Sequence, residues 1–166
     1  MSPPIWLPAS GATSPGNATT PGVPMPDRHD TLDLPADLSA VPIALQWLET
    51  LAEQQGWAPR TTFGLTLSLD EALTNVVSYA FEPSGTAAAP AIRLDCRAGD
   101  THIELELRDN GQPYDPTAGD PPPLVACLDE ADVGGHGVRL MLHYLDSLAY
   151  RRQDGWNALT LRMQRA

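Results

Sequence analysis

The clearest structural pattern in the sequence is Ile92-Arg93-Leu94-Asp95-Cys96-Arg97-Ala98-Gly99-Asp100-Thr101-His102-Ile103-Glu104-Leu105-Glu106-Leu107. On either side of Gly99-Asp100, apolar residues alternate with polar ones, which is the period-two pattern of half-buried strands. Gly99-Asp100 supplies the turn of the hairpin. Because such a hairpin has one apolar face, it requires a layer of helices against that face.

Three helical patterns supply that layer, two before the hairpin and one after it. The first starts near Asp37 or Ser39, with Gly56 beyond its end. The second covers about 59–81. Their predicted inward faces are Val41, Leu45, Leu48 and Ala52; Leu65, Leu69, Ala72, Leu73, Val76 and Ala80; and Val138, Met141, Leu142 and Leu145.

A short strand at 31–35 and a last hairpin at 147–152 and 156–163 complete the pattern. The element order is β-α-α-β-β-loop-α-β-β. It predicts an α+β fold, a two-layer α/β sandwich whose mixed, largely antiparallel sheet is covered on one face by helices.

The length of 166 residues indicates one folded domain. Residues 1–29 are rich in Pro, Gly, Ser and Thr, so this segment is predicted to be a disordered tail, with the domain at 30–166. Its one apolar cluster, Ile5-Trp6-Leu7, is either incidental or a short docking peptide.

The net charge is −11, and all ten basic residues are arginine. An acidic surface argues against binding nucleic acid or anionic membranes, and the absence of lysine excludes a Walker-A loop. Cys96 and Cys127 are predicted to be free thiols in a reducing cytoplasm. The sequence has neither a transmembrane run nor a signal-peptide pattern, so a cytoplasmic location is expected.

The segment Glu71-Ala72-Leu73-Thr74-Asn75 lies in the second predicted helix. Glu71 and Asn75 are four residues apart and share a face away from the centre of the apolar stripe. That face is either a solvated back or a flank that borders a site. A glutamate can activate an acceptor group, and a neutral amide oxygen suits Mg²⁺ that bridges phosphates.

The segment Asp109-Asn110-Gly111 follows the hairpin and continues as Gln112-Pro113-Tyr114-Asp115. A carboxylate at a strand end can accept a hydrogen bond from the exocyclic amine of adenine, and a neighbouring glycine lets the backbone approach a flat ring. An ordinary Asp-Asn-Gly turn is the alternative. The loop that follows, at about 113–133, is long enough to be a lid over a site.

The segment Gly134-Gly135-His136-Gly137 opens the third helical pattern. Glycines expose backbone N–H groups, and a helix N-terminus favours anions, so phosphates can bind there without a lysine. A glycine-rich linker is the alternative.

In this order the motifs resemble those of the Bergerat-fold, or GHKL, ATPases, which include gyrase, histidine kinases and MutL. Glu71…Asn75 resembles the N-box, Asp109-x-Gly111 the first glycine box and Gly135-x-Gly137 the second. Thr160 matches a threonine or serine that often supports adenine. The resemblance covers about residues 30–166. Within the superfamily, the short length and the form Asp-x-Gly-x-Pro-Tyr-Asp are most similar to bacterial anti-sigma-factor serine/threonine kinases.

The resemblance implies an ATP-dependent protein serine/threonine kinase that acts as an anti-sigma factor or a similar partner-switching regulator. It implies Glu71 as the catalytic base, Asn75 as the Mg²⁺ ligand and an ATP lid at about 113–133. The nucleotide would be bound by Asn75, Asp109, Gly111, Gly135, Gly137 and Thr160. The implied phosphate acceptor is a small antagonist domain; a sigma factor is a further candidate partner, and a homodimer is a candidate assembly.

The sequence departs from the family pattern at two places in these motifs. Tyr79-Ala80-Phe81 stands where many members have His-Gly-Tyr, and His136 stands where an apolar residue is common. Two other interpretations stay open: an ATP-dependent binding switch with little or no kinase activity, and a small scaffold whose glycines only form turns. The presence of Glu71 favours the kinase over the switch.

Overall fold

The computed structural model describes residues 27–81, 88–118 and 136–166, the side chain of His136 excepted. Five strands and three helices follow one another in the predicted order. Their bounds are β1 Arg28–Leu34, α1 Ala40–Gln55, α2 Pro59–Asn75, β2 Ile92–Ala98, β3 His102–Asp109, α3 His136–Tyr144, β4 Ser147–Gln153 and β5 Trp156–Gln164. A π-helical segment, Val76–Ala80, continues α2.

The five strands form one sheet in the order β1-β2-β3-β5-β4. Both predicted hairpins are present, and Asp154 and Gly155 have the positive φ angles, 53° and 81°, of a two-residue type I′ turn. All four pairings between the described strands are antiparallel, so the predicted parallel component of a mixed sheet is absent from them. The prediction of an α+β two-layer sandwich is confirmed.

The helices pack on one face of the sheet, where the hairpin alternation places its apolar side chains. Leu94 pairs with Leu107, and Leu107 with Leu159, so all three share this face. The opposite face carries charged residues joined by ion pairs such as Arg151–Glu106, at 2.8 Å. The largest fully buried side chains include Leu48, Leu65, Leu69, Leu73, Leu94, Ile103, Leu105, Leu107, Met141 and Leu161. The core therefore lies between the two layers.

Several local predictions were wrong. Leu142 was expected to point inward, but it is 49% exposed, because short α3 buries only the stripe that contains Met141 and Leu145. Ser39 is the residue before α1, yet its side chain makes no capping bond; instead, its N–H donates to the Asp37 carboxylate at 2.8 Å. Val41, Leu45 and Val76, by contrast, pack against the core as predicted, each partly buried.

The boundary between tail and domain lies earlier than predicted. Arg28 and His29 were assigned to the tail, but both belong to β1 and pair with Ala98 and Arg97 of β2. The rest of the predicted tail, residues 1–26, lies outside the described residues, as does the loop at 119–135. No helix in the described parts of the chain is long and apolar enough to cross a membrane.

Candidate functional site

A cleft opens between the end of α2, its π-helical continuation and the ends of β3 and β5. Its walls are mostly apolar, with a few polar groups among them. It is lined by Ala72, Asn75, Val76, Tyr79, Ala80, Leu107, Asp109, Gln112, Pro113, Tyr114, Pro116, Met141, Tyr150, Asn157 and Leu159. Apolar walls with few convergent polar groups are typical of small-molecule sites.

Asp109 is the acidic group of this cleft. It is the last residue of β3, and only 4% of it is exposed. Its Oδ1 accepts hydrogen bonds from the Gly111 N–H at 3.0 Å and from Asn157 Nδ2 at 2.9 Å. Among the described residues no hydrogen bond is recorded to Oδ2. One carboxylate oxygen is therefore held by the protein, while the other remains for a ligand.

Burial raises the pKa of the Asp109 carboxyl above its ordinary value of 3.8. The hydrogen bonds from Asn157 and Gly111 and the nearby Arg152 charge oppose this shift in the pKa, but they do not cancel it. The reason is that a low-dielectric site penalises the charged form of a carboxyl. A donor on a ligand would stabilise the ionised form that the site itself disfavours.

Gly111 packs against the end of the π-helical segment. A Cβ built at Gly111 would overlap the carbonyl oxygen and the side chain of Ala80, and the Gln112 N–H donates to that same carbonyl at 2.9 Å. Glycine is therefore required here by close approach of two backbones. The contact joins the segment after Asp109 to the helix that carries Glu71 and Asn75.

Glu71 and Asn75 lie on a flank of α2, not on a solvated back. Asn75 lines the cleft. The Glu71 carboxylate lies against Gly137, in the first turn of α3, where a Cβ would overlap Glu71 Oε2. The helix begins at His136, so Gly137 belongs to it and does not precede it as the sequence suggested. Asn75 and Asp109 thus line one cleft, while Gly137 contacts Glu71 and Gly111 contacts Ala80.

The structure does not bring Thr160 into the cleft. Thr160 pairs with Glu106 of β3 and Ala149 of β4, on the sheet face away from the helices. The role predicted for Thr160 beside adenine is therefore contradicted by its position, because side chains alternate between faces along a strand. Gly135 lies outside the described residues, as does all of the predicted lid beyond residue 118.

Asn157 occupies the place that Thr160 was expected to fill. It pairs with Asp109 across β3 and β5, and it is 5% exposed. Tyr150 Oη and Arg152 Nη1 both donate to its Oδ1, at 2.6 Å and 2.8 Å. None of these three residues is among those that the sequence motifs predict for the site. Counting the alternation back from Leu159 would have placed Asn157 on the inner face, in register with Asp109.

The residues present fit a purine nucleotide that carries an exocyclic amine. Oδ2 of Asp109 can accept from such an amine, and the apolar walls can cover the ring. The first turn of α3 lies beside the Glu71 carboxylate, and the backbone N–H groups of a helix N-terminus favour phosphates. The fold and the cleft together define a nucleotide-binding α+β domain.

A family model described as the histidine kinase-like ATPase domain matches residues 34–163. The chain belongs to this family. It is 47% identical over 137 residues to the serine/threonine-protein kinase BtrW of Bordetella bronchiseptica, a match covering 82% of this chain and 94% of that protein.

A solved structure of the RsbU and RsbW domains of a Mycobacterium tuberculosis protein has a similar fold. The TM-score is 0.58, and the sequence identity is 14%. The match covers 83% of this chain and 32% of that one. At this identity the likeness concerns the fold alone.

Proposed function

We propose that this protein is an ATP-dependent protein serine/threonine kinase. The observation that carries the proposal is the 47% identity to a serine/threonine-protein kinase over nearly all of that relative's length. The cleft supports it, because Asn75 and Asp109, the amide and acidic positions expected to bind ATP, both line it.

The nucleobase end of the site lies at Asp109 and Gly111. Asp109 binds the exocyclic amine of adenine through Oδ2, and Gly111 keeps the backbone close to Ala80 so that the ring has room. The opposite end lies at Asn75, Glu71 and Gly137. Asn75 would hold Mg²⁺, a hard ion that prefers oxygen ligands, and the first turn of α3, together with Gly135, would bind phosphates.

Bound ATP and Mg²⁺ would supply a phosphoryl group made electrophilic by the metal. Glu71 acts as the base that accepts the proton of the acceptor serine or threonine hydroxyl. Its carboxylate, held against Gly137, lies at the phosphate end of the site. Most of the rate in such transfers comes from positioning and charge stabilisation, and a base adds roughly 10²- to 10⁴-fold.

The acceptor protein proposed is a small antagonist domain of a partner-switching circuit. In this circuit the kinase alternately binds the antagonist and a second target, for which a sigma factor is the candidate. A cytoplasmic location follows from these partners. The lid at about 113–133 would close over ATP, since Pro113, Tyr114 and Pro116 already line the cleft.

The test is phosphotransfer from labelled Mg-ATP to a candidate antagonist domain. Glu71→Gln keeps the size of the side chain but removes its basicity, so transfer should fall by about 10²-fold or more, while ATP affinity changes little. Asp70→Asn is the matched control, because it makes the same charge change one residue away, at a carboxylate that accepts a hydrogen bond from Thr74 Oγ1 on the same helix, whereas Glu71 lies against Gly137. Transfer by Glu71→Gln at the wild-type rate would remove Glu71 from its role.

The same experiment separates the kinase from a nucleotide-dependent binding switch. Tight ATP binding by the wild type, with no transfer to any antagonist domain, would favour the switch. No stabilisation by ATP or ADP at millimolar concentration would contradict both functions.

A further inference from the structure

Asn157 is the centre of a buried hydrogen-bond network behind the proposed adenine position. Its Oδ1 accepts from Tyr150 Oη at 2.6 Å and from Arg152 Nη1 at 2.8 Å. Its Nδ2 donates to Asp109 Oδ1 at 2.9 Å and to the Gln112 carbonyl at 2.8 Å. All four hydrogen bonds that an amide side chain can share with two donors and two acceptors are made.

Two of these partners determine which way the amide points. A guanidinium can only donate, so Arg152 must face the oxygen of Asn157; a backbone carbonyl can only accept, so Gln112 must face the nitrogen. The Asn157 nitrogen is therefore directed at Asp109 Oδ1. A threonine at this position could offer one hydroxyl donor, but it could not satisfy both sides of this network.

The same network holds the turn that follows Asp109. Arg152 Nη1 also donates to the Gly111 carbonyl at 3.1 Å, and the Gly111 N–H donates to Asp109 Oδ1. Asp109 Oδ1 thus accepts two hydrogen bonds, one from Gly111 and one from Asn157. Arg152 donates to both of these residues. The carboxylate cannot rotate to present Oδ1 to a ligand without breaking both hydrogen bonds.

We propose that Asn157, oriented by Arg152 and the Gln112 carbonyl, is a positioning residue that selects the nucleobase. It occupies Asp109 Oδ1 and so presents Oδ2 to the 6-amino group of adenine. The proposal rests on the function proposed above, since it assumes that ATP binds in this cleft. It assigns base selection to the β4–β5 hairpin as well as to Asp109.

The test compares two ligands that differ only in the group concerned. Mg-ATP and Mg-purine riboside 5′-triphosphate, which lacks the 6-amino group, are titrated calorimetrically into the full chain. For Asn157→Ala, ATP affinity should fall about tenfold or more, because the Asp109 carboxylate loses one of the two hydrogen bonds that hold Oδ1 and so fix the position of Oδ2. Affinity for the purine analogue should change by less than about threefold, because no amine is present to be misplaced.

Two further variants keep the test decisive. Tyr150→Phe removes only the hydroxyl that donates to Asn157 Oδ1, so Asn157 is held less firmly and the preference for ATP should fall by about threefold; this variant carries the test if Asn157→Ala does not fold. Thr160→Val is the matched control on the same strand, facing away from the helices, and both affinities should stay at their wild-type values.

Equal losses for the two ligands in Asn157→Ala would overturn the proposal, because Asn157 would then only support the shape of the cleft. Unchanged ATP affinity would overturn it as well. A wild type that binds both ligands equally would overturn base selection while leaving the ATP site standing. A wild type that binds neither would overturn the proposed function itself.

Discussion

The substitution Asp109→Asn tests whether the buried carboxylate of Asp109 is needed to bind ATP, separately from the unfavourable effect of its burial on stability. The amide oxygen of asparagine can still accept from the Gly111 N–H and from Asn157 Nδ2, so the fold keeps both hydrogen bonds. The amide nitrogen then replaces Oδ2 and meets the adenine amine as a second donor. We expect the variant to fold normally but to bind ATP poorly.

The loss can be estimated from the hydrogen bond that disappears. A hydrogen bond to a charged group contributes about 1.5–3 kcal/mol, which corresponds to about a 10- to 150-fold loss of ATP affinity. At an ATP concentration about 100 times the wild-type Kd, binding should stabilise the wild type by about 2.7 kcal/mol. A variant that binds about 100-fold more weakly should gain only about 0.4 kcal/mol.

Thermal unfolding with and without Mg-ATP measures this difference. At about 2–4 °C per kcal/mol for a chain of this size, the Tm should rise by about 5–10 °C in the wild type and by about 1–2 °C in the variant. Inosine triphosphate is the control ligand, because its 6-oxo group can accept from the new amide nitrogen. ATP binding by the variant within about threefold of wild type would refute the assignment of Oδ2.

Without nucleotide, the variant should also differ from the wild type in how stability varies with pH. The pKa of Asp109 is raised in the folded protein, so the folded state holds its proton above pH 3.8, where the unfolded state releases it. Stability from this group is present at lower pH and is lost as the pH rises through the folded pKa. Asp109→Asn should lack this loss and be at least as stable as the wild type at pH 7. A marked drop in its stability would contradict the reasoning.

Two other predictions follow from close packing and burial. Gly111→Ala should lower the free energy of unfolding by about 1–3 kcal/mol, because its Cβ would overlap the Ala80 carbonyl; urea unfolding measures this, and an unchanged midpoint would contradict the contact. Burial raises the pKa of the Cys96 thiol to about 12, so native protein at pH 8 should not be alkylated there. Peptide mapping after iodoacetamide treatment checks this, and rapid labelling of Cys96 before denaturation would count against it.

The fold could be predicted because its patterns are local. Alternation from Ile92 to Leu107 and the Asp154-Gly155 turn each depend on neighbours in the chain, and both hairpins form as expected. The exposure of Leu142 could not be read in this way. The exposure of Leu142 depends on the width of the contact between α3 and the core, and tertiary packing sets that width.

Candidate site residues could be predicted from the sequence where they form a recognisable motif. They could not be predicted where strand register and side-chain reach determine which residue lies in the cleft. Asp109 and Gly111 have a recognisable chemistry as a pair. Thr160 was selected by residue type alone, whereas the strand register gives its place to Asn157. Tyr150 and Arg152 belong to no sequence motif. Each is placed by the pairing of β4 with β5, from which its side chain donates a hydrogen bond to Asn157 Oδ1.

The order of the motifs in the sequence has a physical reason in α2. Glu71 touches Gly137 near one end of the site, while Ala80 touches Gly111 near the other. These contacts are nine residues apart along α2 and its π-helical continuation. One continuous helix therefore contacts both glycine boxes and sets the distance between the proposed phosphate and base positions. Since the π-helical segment Val76–Ala80 lies between Asn75 and Gly111, a change in its winding would move the base position relative to the metal position.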